Sequence, residues 1–276
     1  MGSEAKPFKE TYEGFLNEYE KHSDRPSLAR FVIKGKSVDD IKRFKPELII
    51  AVGSKALTST VDEFTQVPII TCLVIPLTDF LKRPNVTGIY FGPSAKEQMV
   101  WLGRFLPKAK VAGILYSDKT GEAAVESFRR VAKELPYRIF ARRVSTPRDL
   151  PRELRMVQKE ADVLIGLPDT LIYSPHTARH ILLGSFRSRV PLIGVSPHWV
   201  KAGALYCLHN RYQDLGTQCA KMANKAINGQ PIIEIKPERP QNIQPIINYR
   251  TAKVLNIKIS THITKEVTKI EKGNSE

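Results

Sequence analysis

Five short apolar runs in this chain are each followed by small polar side chains of the kind that grip a small charged solute. Ser54 and Lys55 follow ELIIAV (47–52), and Thr78 and Asp79 follow VPIITCLV (67–74). Ser117 and Asp118 follow Tyr116 at the end of VAGILY (111–116), Asp169 and Thr170 follow ADVLIGL (161–167), and Ser196 and His198 follow VPLIGV (190–195). Hydroxyls and the free N–H groups at helix starts hold a carboxylate, and an aspartate holds an amine. Ser, Thr and Asp are also the residues that cap helices, so capping alone explains any one of these positions. Their repetition at five run ends is what points to binding, because ligands of an open parallel sheet lie beyond the carboxyl ends of its strands.

Other chemistries lack their residues. GSKALTST (53–60) does not have the spacing of a phosphate loop, and no G-x-G-x-x-G follows any run, which disfavours nucleotides. No G-x-S-x-G elbow occurs, no Ser or Cys is paired with a His, and no acid and base can be assigned among the carboxylates. His176 and His180 stand four apart, as two imidazoles on one helix face would, but no third ligand accompanies them. Cys72, Cys207 and Cys219 are widely spaced and read as buried apolar residues. The expectation is therefore no catalytic residue, no metal and no cofactor.

The elements that must position these loops alternate strand and amphipathic helix, which predicts parallel sheets covered on both faces. To the runs above a sixth strand is added at Ala204–Leu208, and helices are expected at 8–21, 95–105, 122–134, 147–159, 175–188 and 212–228. Thr146-Pro147 and Ser174-Pro175 each read as a cap followed by proline at the first helical position, and Gly229 as a helix stop. Pro231, Pro237 and Pro240 make 230–242 an extended connection. The polar stretch THITKEVTKIEKGNSE (261–276) is expected to fray. The chain enters its first helix without a preceding strand, so the first strand of that sheet is missing.

No run approaches the ~18 apolar residues of a membrane span, and the N-terminus has no apolar core of a secretory signal. Met1-Gly2-Ser3 reads as a cloning remnant in place of a removed leader. The 43 Lys and Arg against 28 Asp and Glu leave a formal charge of +15, yet the basic residues are dispersed and form no nucleic-acid module.

A resemblance adds what composition cannot. PELIIAVGSKAL, VPIITCLV, NVTGIYF (85–91), FLPKAKVAGILYS, ADVLIGLPDTLIYSP, VPLIGVSPHWVKAGALYCL, YQDLGTQCAKMANKAINGQ and INYRTAKVLNI follow one another from about Pro46 to Ile257. In that order and spacing the chain resembles the ABC-transporter substrate-binding family that includes tryptophan and tyrosine binders. The resemblance implies a type I periplasmic-binding fold, two Rossmann-like lobes with parallel sheets joined by a three-strand hinge. It implies crossovers near 88–93, near 208–211 and in the proline-rich segment before Ile246. One lobe would be 1–89 with about 211–243, the other 90–210 with about 244–259, and 260–276 a charged tail. The ligand would lie in the cleft against Ser54, Lys55, Thr78, Asp79, Tyr116, Ser117, Asp169, Thr170, Ser196 and His198.

This chain departs from the family where its amino-acid binders carry a second Asp after the fifth strand; here Ser196-Pro197-His198 stands. The function implied is capture of a small polar ligand, an amino acid or related carboxylate, by hinge closure, for an ABC permease. The alternative is a ligand-sensing domain of the same fold that feeds a signalling partner. Either way the expectation is no enzyme and no nucleic acid, with the membrane reached only through the partner and a periplasmic or extracytoplasmic location.

Overall fold

A computed structural model describes residues 1–21, 26–33, 37–118, 120–260, 263 and 267–269. Most of the stretch expected to fray lies outside these residues. The chain divides into two compact units, Met1–Gly92 with Asn210–Ile243, and Pro93–His209 with Gln244 onward, and passes between them three times.

In chain order the helices and strands are α1 (Lys6–Tyr19), α2 (Ser37–Phe44), β1 (Ile49–Val52), α3 (Ser54–Thr60), β2 (Ile69–Cys72), β3 (Val86–Gly88), α4 (Ala95–Phe105), β4 (Val111–Tyr116), α5 (Glu122–Ala132), β5 (Arg138–Arg143) and α6 (Leu150–Glu160). There follow β6 (Val163–Ile165), α7 (Pro175–Ser188), β7 (Leu192–Ile193), α8 (Pro197–Ala202), β8 (Tyr206–Asn210), α9 (Tyr212–Ile227), β9 (Ile243–Ile247), α10 (Tyr249–Val254) and β10 (Thr268–Lys269). One sheet has the order β1-β2-β3 and the other β10-β9-β8-β7-β6-β4-β5. The pairings of β1 with β2, β2 with β3, β4 with β5 and β6, β6 with β7, β7 with β8 and β9 with β10 are all parallel. This is an α/β protein with parallel sheets in two units, as the alternating pattern requires.

In the first unit α1 and α9 pack without intervening side chains. A Cβ on Gly14 would fall 2.0 Å from the Gln213 carbonyl oxygen, and one on Gly216 would fall 1.9 Å from that of Thr11. Only glycine permits that approach, and it lets Phe15, Tyr19, Leu215 and Cys219 close over Ile70 and Cys72 of β2. In the second unit Leu154 and Val157 of α6 and Ile181 and Leu182 of α7 cover Leu164 and Leu192.

The local expectations fare differently. Among the described residues no strand precedes α1; instead Gly2 N–H donates to the Val52 carbonyl and Met1 is buried. The expected cap at Thr146 does not start a helix, because Asp149 takes the Thr146 N–H and hydroxyl on its carboxylate and α6 begins at Leu150. Ser174 does cap α7, its N–H donating to Thr177 Oγ1 at 3.0 Å. Gly229 follows α9 at φ +89°, the left-handed conformation that ends a helix. β5, RIFARR, is a strand that apolar patterning misses: it is a sheet edge with no fully buried residue, where arginines are tolerated. The short helices α2, α3, α8 and α10 span too few turns to show a period.

Candidate functional site

In the second unit β4 and β6 are neighbours, so their carboxyl ends present Tyr116-Ser117 beside the 168–170 loop. Asp169 is the residue that joins them. One carboxylate oxygen accepts from the Leu171 and Ile172 N–H groups at 2.9 and 3.1 Å. The other accepts from Ser117 N–H at 3.2 Å, from Ser117 Oγ at 2.6 Å and from Thr120 Oγ1. The residue is 6% exposed. Burial works against its ionisation, but the hydroxyls of Ser117 and Thr120 and the Ile172 and Leu171 amides outweigh it and hold the carboxyl below its usual range. Five donors saturate a carboxylate, so Asp169 fixes the geometry of the two strand ends and has no lone pair left over for an ammonium group.

Other strand-end residues of this unit lie in the loops after the strands. Thr170 and His198 are exposed, and Ser196 is half-buried at the start of α8. The Tyr116 hydroxyl is hydrogen-bonded to Glu122, which raises its pKa and, with Arg129, lowers that of Glu122. Asp118, just beyond Ser117, pairs with Arg143 at 2.5 Å. Thr120 is the partner that sequence reading missed; its signal was only its place three residues after Ser117, where a capping hydroxyl would stand.

In the first unit β1 turns sharply at Gly53 into α3. Its φ of +93° and the ring of Phe8, 2.4 Å from where a Cβ would be, both exclude a side chain. Ser54 and Lys55 therefore open α3 at the end of β1, both exposed. The loop after β2 comes back to the same place, with Ile75 N–H donating to Ser54 Oγ at 3.4 Å. Buried Leu77 anchors a 3-10 turn over Leu77–Asp79 and leaves Thr78 and Asp79 exposed. The structure thus gathers Ser54, Lys55, Thr78 and Asp79 by way of two adjacent strands, and Tyr116, Ser117, Asp169 and Thr170 by way of two others.

No group of His, Cys, Asp and Glu suited to a metal occurs among the described residues. His176 and His180 are exposed on α7. The cysteines are buried; the Cys207 thiol is pushed up to about 12 by burial, and Cys219 is raised by its hydrogen bond with Cys72 and by burial, so neither is a nucleophile. Among the described residues no helix is long and apolar enough to cross a membrane.

A family model described as ABC transporter substrate binding protein matches residues 27–271. A curated protein named tyrosine-binding protein, from Clostridioides difficile, is 26% identical over 241 residues, covering 84% of this chain and 69% of that relative. Among solved structures, the ligand-free, open form of CD0873, a substrate binding protein with adhesive properties from Clostridium difficile, superposes with a TM-score of 0.78 at 19% identity, over 98% of this chain and 97% of that one. A domain from Streptococcus pneumoniae in complex with L-Trp gives 0.71 at 17% identity, over 97% and 96%. A leucine binding protein from Thermotoga maritima gives 0.59 at 13% identity, over 85% and 84%. These likenesses agree with the two-sheet α/β architecture of type I periplasmic-binding proteins.

Proposed function

This chain belongs to the ABC transporter substrate-binding protein family, whose members are substrate-binding proteins and not enzymes, and we propose that it captures an amino acid or related small carboxylate for an ABC permease. The observation that carries the reading is the polar set at the strand ends of both units, exposed Ser54, Lys55, Thr78 and Asp79 in one and exposed Thr170 and His198 with half-buried Ser196 in the other. Lys55 supplies a cation and the hydroxyls supply donors for a carboxylate, while Asp79 supplies the acceptor for an ammonium group. Asp169 serves this set as a positioning residue, through Ser117 and Thr120. The naming of a relative of the same family for tyrosine supports a zwitterionic ligand. Capture proceeds by closure of the two units on the solute, in an extracytoplasmic location, as suits a protein that hands its ligand to a permease.

A thermal-shift panel of amino acids, small carboxylates, sugars and nucleosides tests the proposal. At a ligand concentration of 100 times Kd, binding adds ~2.7 kcal/mol to the folded state, a rise of several degrees. A rise with amino acids that Asp79→Ala and Lys55→Ala each diminish, accompanied by contraction in small-angle scattering, is the expected result. Silence across the panel, or turnover of any member, would sink it.

A further inference from the structure

The basic residues are dispersed along the chain but not over the fold. The second unit has 25 Lys and Arg against 13 Asp and Glu, whereas the first has 18 against 15. Within the second unit, α6 and α7 turn their cations to one side. Leu154 and Val157 of α6 and Ile181 and Leu182 of α7 are buried over the sheet. At 3.6 residues per turn the opposite side of α6 carries Arg152, Arg155 and Lys159, and that of α7 carries Arg179, His180, Leu183 and Arg187, all of them exposed.

The two helices present these side chains as one surface. A Cβ on Gly184 would fall 2.8 Å from Gln158 Nε2, so α7 lies directly against α6. Acids do little to neutralise the surface. Of those on α6, Glu153 is buried against Arg142 and Arg152, and Glu160 stands 3.9 Å from Arg138; α7 has none. Among the described residues Arg155, Lys159, Arg179 and Arg187 make no ion pair. Leu183, 42% exposed, stands in the middle of the α7 cations, with Arg179 one turn before it and Arg187 one turn after.

Two features define the occupant. Unpaired cations on one surface call for a surface of negative charge, and an exposed leucine among them calls for an apolar layer just beneath that charge. A bilayer with anionic headgroups offers both, whereas a soluble polyanion would use the cations and leave Leu183 in water. We propose that the outer side of α6 and α7 docks on an anionic phospholipid bilayer, with Arg155, Lys159, Arg179 and Arg187 at headgroup level and Leu183 at the acyl boundary, in addition to any contact through a permease. Each cation brought to such a surface strengthens attachment about fivefold, and salt screens that attraction.

The test uses the whole protein and protein-free vesicles of phosphatidylcholine, with and without about one third phosphatidylglycerol, read by co-sedimentation. The expected result is binding to the anionic vesicles alone, weakened at least about tenfold between about 0.1 M and about 0.5 M salt. Arg179→Gln together with Arg187→Gln should weaken it about 25-fold, and Leu183→Ser at least about threefold. The same loss as for the arginine pair is expected of Arg155→Gln with Lys159→Gln on the other helix, so misfolding of one variant leaves the test intact. All of these variants should melt within about two degrees of the wild type, which separates loss of the surface from loss of the fold. No binding to the anionic vesicles, or binding that folded variants of both cation pairs retain, overturns the proposal. Binding that Leu183→Ser leaves unchanged also overturns it, and heparin or duplex DNA bound as tightly as the vesicles then identifies a soluble polyanion as the occupant.

Discussion

The two units use the same repeat of strand and helix, yet they differ in what their strand-end aspartates do. In the second unit Asp169 is buried and accepts from two hydroxyls and three backbone N–H groups. In the first, Asp79 stands exposed on a three-residue turn whose buried residue is Leu77. The same residue type, in the loop after a β-strand, is buried and saturated in one unit and exposed in the other. Burial with a full set of donors marks a framework residue, whereas exposure suits the ligand contact proposed for Asp79. Among the described residues their sheets also differ, with seven strands in one and three in the other.

Removal of Asp169 is the largest expected effect. Asp169→Ala leaves Ser117, Thr120 and two loop amides without their acceptor, and should lower stability by about 3 kcal/mol in urea melts. Unchanged stability with lost ligand binding would instead make Asp169 a ligand contact and erase the distinction between the units. Next is the helix crossing of the first unit. Gly216→Ala drives a methyl group into the Thr11 carbonyl, and overpacking of this kind should remove about 2 kcal/mol.

The third expectation concerns pH. The Asp169 carboxyl is held below its ordinary value of 3.8, so its contribution is present above that value and is lost as pH falls through the lower folded one. The stability gap between the wild type and Asp169→Asn should therefore be constant from pH 7 to about 5 and close in more acidic urea melts. A gap that widened on acidification would show that the carboxyl is protonated in the fold. The smallest expected stability effect belongs to Asp79→Ala and Lys55→Ala, which should stay within about 0.5 kcal/mol of the wild type while diminishing the ligand-induced rise in Tm. Destabilisation well beyond that by Asp79→Ala would make both aspartates framework.

Much of this was legible in the residues. The apolar runs at 47–52, 67–74 and 111–116 place β1, β2 and β4, and the Ser174-Pro175 cap and Gly229 stop mark real helix ends, because these signals act within a few residues of the chain. β5 was illegible, since an edge strand needs no buried face and RIFARR carries three arginines. Thr146 misled for the opposite reason: the Asp149 carboxylate competes for its N–H and hydroxyl and moves the start of α6 to Leu150.

The longer helices, the apolar strands, the polar character of the strand ends and the family were thus determined by the sequence alone, because periodicity, capping and motif spacing are local properties. Which of the strand-end residues are satisfied and which are open was decided only by tertiary structure. Asp169 and Ser117 are 52 positions apart in the chain, and only the pairing of β4 with β6 makes one the partner of the other.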